Sequence, residues 1–98
     1  MDSGAILDTL RLHESELRAA GIVHLRLFGS TARGENNLQS DIDLMADIDR
    51  SKHLTLVTLV GIENRLSDLL GSKVDLSLSG SLKNGVRERA TREAVLAF

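Results

Sequence analysis

Apolar residues recur at helical spacing from the start of the chain. Ile6, Leu7, Leu10 and Leu17 fall within 3–20, and Gly21 stands where a helix stop belongs, which predicts one N-terminal helix. In "IVHLRLF", 22–28, the period changes to two: Val23, Leu25 and Leu27 alternate with His24, Arg26 and Phe28, predicting a strand that ends at Gly29. "STARGE" reads as a short helical turn and "NNLQS" as a loop. "DIDLMADI", 41–48, alternates again, with Ile42, Leu44, Ala46 and Ile48 on one side and Asp41, Asp43, Met45 and Asp47 on the other. "LTLVTLVGIENRLSDLL", 54–70, is long and apolar enough for a buried helix closed by Gly71. "KVDLSLS", 73–79, predicts a third strand, with Val74, Leu76 and Leu78 opposite Asp75 and Ser77. "GSLKNG" is a turn region and "VRERATREAVLAF", 86–98, a final helix.

The resulting order is α-β-α-β-α-β-α. A helical crossover between the second and third strands favours parallel pairing there, and the shorter connection between the first two permits antiparallel pairing. An α/β (α+β) fold follows: a small mixed three-stranded sheet flanked by helices, in a single domain over 1–98.

Composition narrows the function more than the fold. An apolar fraction of 42% supports a packed interior, and 27% charged residues with a net charge of −2 describe an ordinary surface with no general attraction to nucleic acid. Two phenylalanines, with no tryptophan or tyrosine, make a base-stacking platform a poor expectation. Cysteine is absent, which removes disulfides, thiol catalysis and thiolate metal sites and agrees with a reducing cytoplasm. The first residues, "MDSGAILDTL", lack a signal-peptide pattern, and no stretch approaches a membrane span, so a cytoplasmic location is expected.

Candidate chemistry gathers between residues 27 and 44, "LFGSTARGENNLQSDIDL". On a strand, positions i and i+2 face the same way, so Asp41 and Asp43 project side by side, and Asp75 has the same phase on the strand expected next to them. Crowded carboxylates call for a cation between them, and Mg²⁺ is the natural occupant because it takes oxygen ligands. Taken alone, Asp-x-Asp would read as solvated aspartates on a surface strand. The upstream loop changes that: Gly29 allows close backbone approach, Ser30 begins a helical turn whose N–H groups suit phosphate oxygens, and Arg33 can add a charge-assisted contact. An EF-hand fails, because Met45, Ala46 and Lys52 occupy positions that need an oxygen ligand, a glycine and a glutamate. A P-loop fails because Glu35 and Asn36 replace its Lys and Ser/Thr, and a serine-hydrolase elbow fails because Ser30 has no glycine two residues away on either side. His13, His24 and His53 are scattered, without ligand spacing.

Gly29-Ser30, ten intervening residues, Asp41-x-Asp43 and a later Asp75 on a strand together resemble the signature of the nucleotidyltransferase superfamily that includes DNA polymerase beta. The string "FGSTARGENNLQSDIDL" resembles its smallest members, the minimal nucleotidyltransferases or MntA-like proteins, more closely still. The resemblance implies two Mg²⁺ ions and an NTP, usually ATP. Gly29 and Ser30 would hold the β and γ phosphates, with Arg33 in the same loop. Asp41 and Asp43 would bridge both metals, and Asp75 would bind the acceptor-side metal and help deprotonate the attacking hydroxyl.

The chain has almost nothing beyond the catalytic sheet, so the acceptor must come from elsewhere. Many minimal members resemble antitoxins that transfer AMP to a tyrosine of a HEPN-domain RNase toxin, and such a partner is the expectation here. Nucleotide transfer to a small molecule is disfavoured because an acceptor domain is missing. A pure binding module that neutralises a toxin by contact is the other alternative. "LTLVTLVGI" and "AVLAF" could face a partner or form a homo-oligomer, with a role in the core at least as well supported. Lys83, Arg87, Arg89 and Arg92 could line the cleft, though a solvated helix face is the better reading.

Overall fold

Asp2 caps the first helix, its carboxylate accepting from Ala5 N at 2.8 Å, and α1 (Ser3–Leu12) then turns Ile6 and Leu10 inward. The computed structural model describes residues 2–29, 41–78 and 94–98. The single N-terminal helix expected from the apolar spacing is two helices. His13 leaves helical geometry (φ −103°, ψ 16°), and α2 (Glu14–Ala20) starts immediately after it and buries Leu17. Gly21, at φ 116°, ends α2 in the left-handed region. A side chain there would collide with Leu54, whose Cδ1 lies 2.8 Å from the position of a Cβ.

Two strands follow, β1 (Ile22–Phe28) and β2 (Ile42–Ile48), paired antiparallel. The register slips between Ile22 and His24, so Val23 is an extra residue in β1. This shift corrects the simple alternation: Ile22 takes an inward place and Val23 faces out, while Leu25 and Leu27 are buried as expected. The Val23 carbonyl accepts from Arg18 Nη1 at 2.7 Å.

After a 3-10 turn (Arg50–Lys52), Thr55 caps α3 (Leu56–Leu70) by accepting from Thr58 N at 3.1 Å. Gly71, at φ 66°, closes the helix. Helix α3 is the crossover that brings β3 (Val74–Leu78) back parallel to β2. Only part of its apolar surface is core. Ile62, Leu66 and Leu70 are buried, whereas Leu56, Val57 and Val60 near its start are exposed.

The end of the chain departs from expectation. A final helix was anticipated over 86–98, but its described part contains a short fourth strand, β4 (Val95–Leu96), antiparallel to β1. The sheet therefore has four strands in the order β3-β2-β1-β4 instead of three. The run "AVLAF" has no helical polar face to offer, and pairing with β1 lets Ala97 and Phe98 enter the core. Arg11 secures the turn of chain, with Nε 2.8 Å from Ala97 O and Nη2 3.1 Å from Leu96 O. Arg18 lies over the Phe98 ring, 5.0 Å from its centroid. The expected helical turn at "STARGE" lies outside the described residues.

Helices α1, α2 and α3 contribute to one core with the sheet residues Leu25, Leu27, Ile42, Leu44, Ala46 and Val74. Among the described residues, no helix is long and apolar enough to cross a membrane. On the outer surface, Arg65 of α3 grips Glu16 of α2 with both carboxylate oxygens engaged, at 3.0 and 3.1 Å. The Arg65 hydrogen bond holds the Glu16 carboxyl below its ordinary range and correspondingly raises the guanidinium.

A glutamate whose folded pKa is lowered adds stability above its unfolded value, and that contribution disappears as pH falls through the folded value. Glu16→Gln should therefore melt slightly below the parent at neutral pH and level with it in acid, as thermal melts across the carboxylate range will reveal. A difference that persists unchanged at low pH would show that the pair does not act through charge.

Candidate active site

The sheet has two unlike faces. Leu27, Leu44 and Leu76 share a row turned toward the helices. On the other face, the neighbouring row runs Phe28, Asp43 and Asp75, because Phe28 pairs with Asp43 across β1 and β2, and Asp43 pairs with Asp75 across β2 and β3. Neighbouring strands of a sheet lie about 4.7–4.9 Å apart in the hydrogen-bonding direction. The two carboxylates therefore rise from adjacent points of the same surface.

Asp41 precedes β2 by one residue and shares this phase. It is exposed, and its Oδ2 lies 3.8 Å from Lys73 Nζ, the residue just ahead of β3. Both side chains of that pair are largely in solvent, so it is a weak contact that a stronger ligand can displace. Among the described residues, no three acidic or histidine side chains already enclose a cation-sized space. The donors themselves are hard carboxylate oxygens of the kind Mg²⁺ takes, set on neighbouring strands.

Gly29 completes the described part of the arrangement. It ends β1 at φ 71°, and an added Cβ would stand 2.5 Å from Asp43 Oδ2 and 3.2 Å from its Cγ. The missing side chain is thus occupied by the carboxylate of Asp43. Ser30 and Arg33, expected to continue the phosphate loop, lie outside the described residues, as do Lys83, Arg87, Arg89 and Arg92.

One further row along the same face, Arg26 donates from Nη1 to Asp47 Oδ2 at 2.9 Å, both side chains partly buried. Met45, between them in sequence phase, is 1% exposed although it lies outside the helix-side core. Neither the Arg26–Asp47 pair nor the Lys73–Asp41 contact was anticipated from the sequence. The signal existed in the alternation, which gives Arg26, Asp43 and Asp47 one phase, but it becomes a pairing only when the strand register is known.

Comparison with known proteins fits this geometry. The family model described as the nucleotidyltransferase domain matches residues 10–97. The chain belongs to the nucleotidyltransferase domain family. Its minimal, MntA-like branch is marked by the protein adenylyltransferase MntA of Thermococcus cleftensis, 37% identical over 87 residues, spanning 88% of this chain and 86% of that protein. A minimal nucleotidyltransferase of solved structure superposes with a TM-score of 0.84 at 33% identity, covering 97% of this chain and 95% of its own. A toxin–antitoxin complex solved with AMP-PNP shares the fold at a TM-score of 0.72 and 20% identity, covering all (100%) of this chain and 73% of that one.

This nucleotidyltransferase is therefore an enzyme of nearly the same length as its MntA-like relatives, with its sheet face bearing the motif aspartates. Gly29→Ala must hold a non-glycine residue in the left-handed region, at about 1–2 kcal/mol, and must also displace Asp43. A lowered melting temperature together with loss of nucleotide transfer is expected. Parent-like melting and transfer would show that the position tolerates a side chain.

Proposed function

We propose that the protein transfers AMP from ATP to a hydroxyl, most naturally a tyrosine, of a partner toxin of the HEPN class, and so acts as the antitoxin of a two-component system in the cytoplasm. The observation that carries the reading is the register match of Asp43 with Asp75 beside the glycine that receives the Asp43 carboxylate. The name of the Thermococcus relative and the presence of AMP-PNP in a toxin–antitoxin complex of the same fold both support it.

In this reading Asp41, Asp43 and Asp75 would hold two Mg²⁺ ions, which when bound would offset negative charge at the attacking and leaving oxygens. Asp41 leaves the solvent-exposed Lys73 to do so, a small cost for a surface pair. Gly29 and Ser30 bring backbone N–H groups close to the β and γ phosphates, and Arg33 adds positive charge. Asp75, on the edge strand, faces the side from which a protein acceptor can approach and receives the proton of its hydroxyl. The hydroxyl oxygen bonds to the α-phosphorus, the bond from that phosphorus to the bridging oxygen of the β-phosphate breaks, and pyrophosphate departs. No protein nucleophile is required.

The exposed turn of α3, with Leu56, Val57 and Val60, supports a protein partner rather than a small-molecule acceptor. Between α3 and β3 it borders a groove of about 310 Å³, lined in part by Leu59, Leu76 and Leu78.

Incubation with α-labelled ATP, Mg²⁺ and the partner should label the partner and silence its RNase activity. Asp75→Asn should abolish labelling while melting at or slightly above the parent temperature, because it removes one of two opposed like charges. If the Asp41→Asn, Asp43→Asn double variant silences the partner as well as the parent does, with no label transferred, neutralisation is by contact alone.

A further inference from the structure

Strand β3 lies at one edge of the sheet, so only one side of its backbone is paired with a neighbouring strand. An edge strand so placed presents unsatisfied N–H groups and is free to fray or shift. Here the two amides flanking Asp75 are both bonded from the open side. Val74 N donates to Ser67 Oγ at 3.1 Å, and Leu76 N donates to Glu63 Oε2 at 2.9 Å. The acceptors belong to α3 and are four residues apart, so they share one helix face, as the two amides two residues apart share one strand edge.

The arrangement is internally consistent in its protons. Ser67 Oγ donates its own proton to the Glu63 carbonyl at 3.0 Å, which leaves its lone pairs for Val74 N. Glu63 contributes a carboxylate oxygen, the stronger kind of acceptor for an amide. All three bonds are partly buried, where competition from water is reduced. On the other side, β2 holds the same stretch through the Ile42–Val74, Asp43–Asp75 and Leu44–Leu76 pairings. The backbone of Asp75 is thus gripped from both sides, and its side chain projects from a segment that cannot slide without breaking bonds to α3.

We infer that Glu63 and Ser67 are positioning residues for Asp75, locking the edge strand so that its carboxylate keeps its register with Asp43. The inference rests on the role given to Asp75 above. Both act on Asp75 through the backbone amides on either side of it. Misplacement of a reacting group by about 1 Å can reduce turnover on the order of a hundredfold, so a loosened edge strand reads out mainly as lost turnover.

Hydrogen exchange on the metal-free protein and steady-state transfer kinetics test it together. Glu63→Ala should accelerate exchange at the Leu76 amide and lower kcat by about tenfold or more, with KM for ATP within about twofold of the parent. Glu63→Gln keeps a side-chain carbonyl able to accept from Leu76 N and should restore both readouts. Ser67→Ala should expose the Val74 amide with a smaller loss of kcat. Leu70→Ala, a buried α3 variant, gives the comparison for general destabilisation. The inference is overturned if Glu63→Ala leaves Leu76 exchange and kcat unchanged, if Glu63→Gln fails to rescue, or if Leu70→Ala at matched folded fraction loses as much kcat. Retained transfer by Asp75→Asn alongside faster Leu76 exchange in Glu63→Ala would instead remove the role of Asp75 and leave a bond with only a structural effect.

Discussion

The parallel pairing of β2 with β3 is the constraint on which the site depends. It sets Asp43 opposite Asp75 on one face and, one residue along, Leu44 opposite Leu76 on the other. Two opposed carboxylates disfavour the pairing by about 0.2–1 kcal/mol, while burying one leucine favours it by about 1.5–3 kcal/mol. The apolar face therefore decides the register, and the charged face inherits it. A slip of β3 by one residue would turn Asp75 toward the helix-side core and Leu76 away from it, so the register is strongly specified.

The same logic explains why so small a chain can carry an acidic surface. Among the described residues, the three α-helices lie on one side of the sheet and Asp43 and Asp75 on the other, so stability and the motif carboxylates are assigned to opposite faces. Helix α3 serves both sides: it fills the core with Ile62, Leu66 and Leu70, supplies the crossover that makes β3 parallel, and bonds the open edge of β3 through Glu63 and Ser67. Gly29 acts at a finer scale, where the absence of a Cβ leaves room for the Asp43 carboxylate. In this nucleotidyltransferase domain an apolar turn of α3 is exposed next to the strand that carries Asp75.

Much of this was legible in advance because it rests on short-range patterns. Period-two alternation located three of the four strands, and glycines marked the ends of α2, β1 and α3. The motif aspartates could be given a common phase from spacing alone. What failed did so for physical reasons. Apolar spacing through residues 3–20 contained no sign that His13 would break the helix. The bulge at Val23 depends on where β2 must pair. "AVLAF" carries neither helical nor strand period, and its use as β4 follows from an unfilled edge of β1 and the two Arg11 bonds that hold it there.

The amino-acid sequence by itself determined the α/β class, the family and which carboxylates share a face, because side-chain phase and motif spacing are properties of a few consecutive residues. Only the tertiary structure decided that Asp75 stands opposite Asp43 rather than one position away, that Asp41 leans toward Lys73, that Arg26 meets Asp47, and that Glu63 and Ser67 reach the edge of β3. Each of these joins residues distant in the chain, and their distances are set by how the apolar face packs, a quantity no local pattern contains.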